Sequence, residues 1–257
     1  LIESPCHQRG ELSCLSCHTM HQNQDDPRPR QEWANDQLTL GMEGNQACTQ
    51  CHRELEDQQS LTQHTYHQAG SEGSQCYNCH MPHTTYGLLK AIRSHKIDSP
   101  SVQASLATGR PNACNLCHLN KTLKWTGGHL SDWYGIDEPE LTEDQGNIAA
   151  SLLWLLRGDA GQRAVVGWSM GWKPAQQVSG STWLAPYLRD LLHDPYDVVR
   201  YIFLLLTPQR NYRTYIPVLA QIASLMYTEE TRSAILHCET PSELTALIKN
   251  QERATAS

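Results

Sequence analysis

Cys76-Tyr77-Asn78-Cys79-His80 decides how this chain is read, because its pattern, Cys-x-x-Cys-His, occurs three more times. The other copies are Cys14-Leu15-Ser16-Cys17-His18, Cys48-Thr49-Gln50-Cys51-His52 and Cys114-Asn115-Leu116-Cys117-His118. Two thiols three residues apart reach the two vinyl positions of one porphyrin, and the histidine beside the second thiol falls on its iron. Zinc ribbons and redox dithiols also use Cys-x-x-Cys, but neither requires histidine after every second cysteine. A disulfide framework does not require it either. Four copies, each closed by histidine, predict four haem c groups. Cys14, Cys17, Cys48, Cys51, Cys76, Cys79, Cys114 and Cys117 would hold the porphyrins covalently. His18, His52, His80 and His118 would be the proximal iron ligands.

The rest of the composition fits around these motifs. Of the 257 residues, positions 1–130 hold 21 of the Leu, Ile, Val, Phe and Met side chains, against 33 in positions 131–257. The first half also holds nine of the ten cysteines and eleven of the thirteen histidines. A polar stretch with so few aliphatic side chains buries little core by itself and needs staples. The motifs begin at residues 14, 48, 76 and 114. That spacing is too irregular for a solenoid repeat and suits a chain wrapped around cofactors. The formal charge is −7, from 20 basic and 27 acidic residues. Haem propionates would add to it, so no nucleic-acid partner is expected. The longest purely apolar run, Tyr201 to Leu206, is far shorter than the roughly 18 residues of a membrane span, so none is expected. Covalent c-type attachment takes place outside the cytoplasm, which predicts a periplasmic or extracellular location. The sequence begins at Leu1 rather than Met, and we read it as a processed or truncated product.

Four irons call for four distal ligands. His7, His21, His64, His67, His83, His95 and His129 compete for them, and a surplus of histidine in a small region points to ligation over the usual surface role. Methionine is the rival and would raise the potential. Met20, Met42 and Met81 lie in this half, but Met20 and Met81 are pressed against their own motifs. Bis-histidine ligation is therefore expected. His21 lies three residues after His18, a short reach that suits a neighbouring haem, and His83 stands in the same relation to His80. His64 and His67 would share one face of a helix and could serve two closely packed haems. His95 stands between the third and fourth motifs. His7, His83 and His129 also read as ordinary surface or hydrogen-bonded histidines.

The residues His64-Thr65-Tyr66-His67, Gly70-Ser71-Glu72-Gly73, Cys76 to Pro82 and Arg93-Ser94-His95 resemble the multihaem c-type cytochromes with C-terminal HEAT-like helical repeats. Pro111-Asn112-Ala113-Cys114-Asn115, Trp133-Tyr134-Gly135, Asp194-Pro195-Tyr196 and Val199-Arg200-Tyr201 continue the likeness over nearly the whole chain. The resemblance implies distal ligands at His21, His64, His67 and His95. It also implies a non-ligating residue at position 83. Two departures stand out. Such proteins often carry further motifs upstream, and Cys6-His7 stands where they usually have other residues.

Residues 141–252 read as a string of short helices. Thr142 and Gln145 form a capping-box pattern ahead of Ile148, Leu152, Leu155 and Leu156. Gly158 fits a stop, and Asp159 with Gln162 opens the next helix. Ser181 precedes Leu184, Leu188, Leu191 and Leu192. Asp194 and Pro195 would start a helix through Val198 to Leu206, and Thr240, Pro241 and Glu243 would start the last one. Trp154, Trp168, Trp172 and Trp183 read as core, and the acidic run Asp137 to Asp144 as a solvated linker. The expected fold is mainly α with much irregular structure: a tetrahaem cytochrome c domain over 1–135 and a HEAT-like α-solenoid over 136–257. Cys6 and Cys238 are left over, free to pair with each other, to bridge to another chain or to stay reduced.

Electron transfer without catalysis is the leading expectation, with other redox proteins as partners. One alternative is a subunit of an extracellular cytochrome filament or larger redox complex, touching copies of itself or other cytochrome subunits. The other is a reductase of a small nitrogen or sulfur compound, which needs an iron with an open position.

Overall fold

A computed structural model of the chain describes residues 1–86, 90–187, 229–238 and 240–255. The chain divides into two compact units, Leu1–Ile202 and Phe203–Ser257. The described residues are mainly helical, with one two-stranded antiparallel sheet. Ahead of that sheet run α1 (Pro5–Gln8), α2 (Arg30–Asp36), α3 (Gln46–Thr49), α4 (Gln58–Thr65) and α5 (Cys76–His80). The sheet is β1 (His83–Tyr86) and β2 (Lys90–Arg93), in a register that pairs His83 with Arg93. After it come α6 (Val102–Thr108), α7 (Ala113–Cys117), α8 (Leu123–Tyr134), α9 (Glu143–Asn147), α10 (Ala150–Arg157), α11 (Ala160–Gly171) and α12 (Lys173–Val178).

The helices before α8 are at most eight residues long, too short to be stable alone. Local capping defines them. Asp57 accepts from the Ser60 amide at the start of α4, Ser101 from Ala104 at α6 and Asn112 from Cys114 at α7. Thr122 does the same for α8, which ends at Gly135 in the left-handed region, φ 66°. Between them the chain is irregular, as expected where aliphatic residues are scarce.

The aliphatic core lies where the composition placed it, and it crosses residue 135. Leu119, Leu123 and Leu130 share one cluster with Trp154, Leu155, Val166, Met170, Ala175 and Leu184. Hydrogen bonds pin the fourth motif and the segment after it to this layer. Ala150 donates to the Lys121 carbonyl at 2.9 Å, and Ser179 Oγ donates to the Cys117 carbonyl at 2.8 Å. In packing, residues 136–184 belong with the fourth motif inside the first unit.

Thr142 and Gln145 form the expected capping box, as do Asp159 and Gln162. The single helix expected from Thr142 through Leu156 is two, because Ile148 is extended (φ −105°, ψ 141°). Gly146 and Asn147 weaken the helix there, and the bond from Ala150 to Lys121 starts a new direction. Trp154 is buried, and Trp172 and Trp183 pack on the core. Trp168 instead stacks on Trp172 and packs against His83. Asp137, Glu138, Glu140 and Glu143 are exposed, although Ile136 and Leu141 beside them pack on the core. Leu188, Leu191, Leu192, Asp194-Pro195 and Val198 to Leu206 lie outside the described residues. In the second unit α13 (Glu229–Leu236) precedes α14 (Pro241–Thr255), where the Glu243 amide donates to Thr240 Oγ1 at 3.2 Å as expected. The Cys238 thiol donates to the Ala234 carbonyl at 3.4 Å.

Candidate haem-binding site

Each motif is one helical turn. Cys14–Ser16 is a 3-10 turn, and the other three motifs sit on or overlap α3, α5 and α7. The motif histidine amide donates to the first cysteine's carbonyl at 2.9 Å for His18, 3.0 Å for His52 and 2.8 Å for His118. One turn brings residues i, i+3 and i+4 to the same side, which gathers both thiols and the imidazole.

Three motif histidines face a second imidazole. The ring centroids of His18 and His95 are 6.2 Å apart, those of His64 and His80 6.1 Å, and those of His67 and His118 6.2 Å. The His64 and His80 rings are nearly parallel, at 9°. Rings in van der Waals stacking would lie closer. Two imidazoles bound to opposite sides of one iron, at about 2 Å per Fe–N bond, have centroids about 6 Å apart. The pairs therefore fit an iron between them. A zinc site would draw four ligands together. Among the described residues no group of three or more His, Cys, Asp or Glu side chains is placed to hold one ion.

Backbone carbonyls orient these rings. Nδ1 of His18 lies 2.9 Å from the Asp36 carbonyl, that of His80 3.0 Å from Asp98, that of His67 2.6 Å from Thr65 and that of His95 3.2 Å from Arg93. A carbonyl only accepts, so Nδ1 carries the proton and Nε2 keeps its lone pair for a metal. Gly73 cradles the His67 ring, since any Cβ there would collide with it. Burial, reinforced by His67 and Lys121, pushes the His118 imidazole down to about 4, and burial also lowers His80. Burial pushes the Cys79 thiol up to about 11 and those of Cys114 and Cys117 up to about 12.

His52 and His21 differ. His52 Nδ1 lies 3.5 Å from Glu54 Oε1 and both are exposed, as is His21. Neither ring belongs to an imidazole pair among the described residues. The other histidines have separate roles. His83 packs on Trp168 at 4.1 Å with the rings tilted by 40° and meets Trp172 edge-on at 5.2 Å, and its Nδ1 is buried without a hydrogen bond. His129 sits between Trp125 and Trp133. His7 is exposed, with Nδ1 2.7 Å from the Leu12 carbonyl.

Residue-type reasoning missed the carbonyl acceptors, Gly73, and Asn45, which bonds both the Cys76 amide and the Ser74 carbonyl. One signal was available. The first and third motifs both read Cys-x-x-Cys-His-x-x-His, and each proximal histidine bonds the carbonyl of an aspartate 18 residues on.

Residues 32–119 match the family model described as cytochrome c7 and related cytochrome c. No curated protein and no solved structure matches the chain. The matched stretch holds the second, third and fourth motifs and ends at Leu119. Over these residues the chain is similar to the multihaem cytochromes that bind haem c and carry electrons.

Proposed function

We propose that this protein carries electrons through four covalently bound c haems, each iron held between two histidines, outside the cytoplasm. The observation that supports it most is the set of three imidazole pairs at 6.1–6.2 Å. In this reading His95 serves the haem of His18, His64 that of His80 and His67 that of His118. His21 is left for the haem of His52. Haem iron supplies reversible one-electron chemistry. At the three paired sites the chain's histidines would hold the iron from both sides with their tautomers set by backbone carbonyls, and His21 would complete the fourth, leaving no position for substrate. Catalysis is therefore not part of this reading, and the partners are other redox proteins. The eight motif cysteines all precede residue 118, so 1–135 would bear the cofactors, and 136–257, read as HEAT-like helices, would bear none. Among the described residues no helix is long and apolar enough to cross a membrane.

The test is carbon monoxide binding by the reduced holoprotein. Six-coordinate irons bind none, and one carbon monoxide per chain would expose an open iron. The unpaired His52 favours a second reading, in which that iron takes a ligand from a neighbouring chain or a small nitrogen or sulfur substrate. Saturable turnover of nitrite, hydroxylamine or sulfite with a high-spin signal would establish the enzyme. A high-spin signal that appears only on dilution would establish the shared ligand.

A further inference from the structure

The contacts between motifs have an order. The first and second meet where Gln50 Nε2 donates to the Ser16 carbonyl at 3.2 Å. The second and third are clamped by Asn45. Its Oδ1 accepts from the Cys76 amide at 2.9 Å, and its Nδ2 donates to the Ser74 carbonyl at 2.8 Å. The third and fourth meet through packed helices α5 and α7. One short segment also serves both of these, since His64 faces the third motif's histidine and His67 the fourth's. Tyr66 between them is in the left-handed region, φ 54°, which turns the chain from one ring to the next.

Thioether bonds would form at these cysteines, so motifs that bond or pack against each other would put two porphyrin edges side by side. We propose that the four haems form one unbranched line in sequence order, with those of His18 and His118 as its ends and those of His52 and His80 as its middle. This rests on the four-haem reading above. Each internal step oxidises one iron and reduces the next, and the external electron donor and acceptor are redox proteins meeting the line. His95 is the residue that puts the order at risk. It follows the third motif yet faces His18, so a direct contact between the first and third haems is the arrangement to exclude.

The experiment is nuclear Overhauser spectroscopy on the fully reduced, diamagnetic holoprotein. Each haem is assigned through the β-protons of the cysteines bound to it. The mass of the same sample gives the number of haem adducts. The expected result is four adducts and interhaem contacts between the first and second, second and third, and third and fourth haems. Four adducts with a first–third, first–fourth or second–fourth contact would overturn the line and leave electron transfer standing. Four adducts with any of the three expected contacts missing would overturn it equally. Fewer adducts would overturn the four-haem reading and the line with it.

Discussion

Asn115 is the second residue of the fourth motif and is fully buried. Its Nδ2 donates to the Lys121 carbonyl at 3.0 Å, and its Oδ1 accepts from Thr126 Oγ1 at 2.8 Å. It thereby ties the haem-binding turn to α8. Asn115→Ala removes both bonds. The Lys121 carbonyl keeps the Ala150 amide at 2.9 Å, and the Thr126 hydroxyl can turn to the Thr122 carbonyl, now 3.4 Å away. Neither partner is fully orphaned, so the loss is two net hydrogen bonds at about 1 kcal/mol each. The small void raises the total to about 2–3 kcal/mol. Thr126→Val keeps the shape, removes one bond and leaves Asn115 Oδ1 without its donor, at about 1–2 kcal/mol. The double variant should cost less than the sum by about 1 kcal/mol, because both single changes break the same bond. Urea titration followed by far-ultraviolet circular dichroism of the holoproteins measures all three. A cost below about 0.5 kcal/mol for Asn115→Ala, or strict additivity, would refute the reasoning.

His64→Ala, His67→Ala and His95→Ala should each leave one haem in four high-spin and able to bind carbon monoxide, whereas His83→Ala should leave the spectrum unchanged. Gly73→Ala should disturb the fourth haem alone, through His67, as a shifted low-spin signal in electron paramagnetic resonance. Burial, then the Arg93 charge, pushes His83 down to about 3, so the folded state keeps it neutral. The unfolded chain takes up a proton near pH 6.5, so the contribution is fully present above that pH and is lost as pH falls toward 3. The urea midpoint should therefore fall less between pH 7 and 4.5 in His83→Phe than in the parent.

The motifs were legible because haem attachment fixes residue types at short, rigid spacing. The same holds for the caps at Thr142, Asp159 and Thr240, where a side chain answers an amide three residues away. Long-range pairing was not legible in the residues themselves. Nothing near His95 says that it faces His18, and nothing near His67 says that it faces His118. His83 shows the limit from the other side, since it has the same local pattern as His21. Its place against Trp168 comes from the β1–β2 hairpin packing on α11, a tertiary event. The core crossing residue 135 was hidden for the same reason. Leu116, Leu119 and Leu123 read as sparse aliphatics until α10–α12 are laid against them.

Electron carriage through irons closed on both sides is tested most directly by spin quantitation of the fully oxidised holoprotein by electron paramagnetic resonance, against haem content in the same sample. The expected result is four haems per chain, all low-spin, with no high-spin signal. A high-spin signal equal to one haem per chain would show an iron with an open position, and a carrier held between histidine pairs throughout would be the wrong description of this protein.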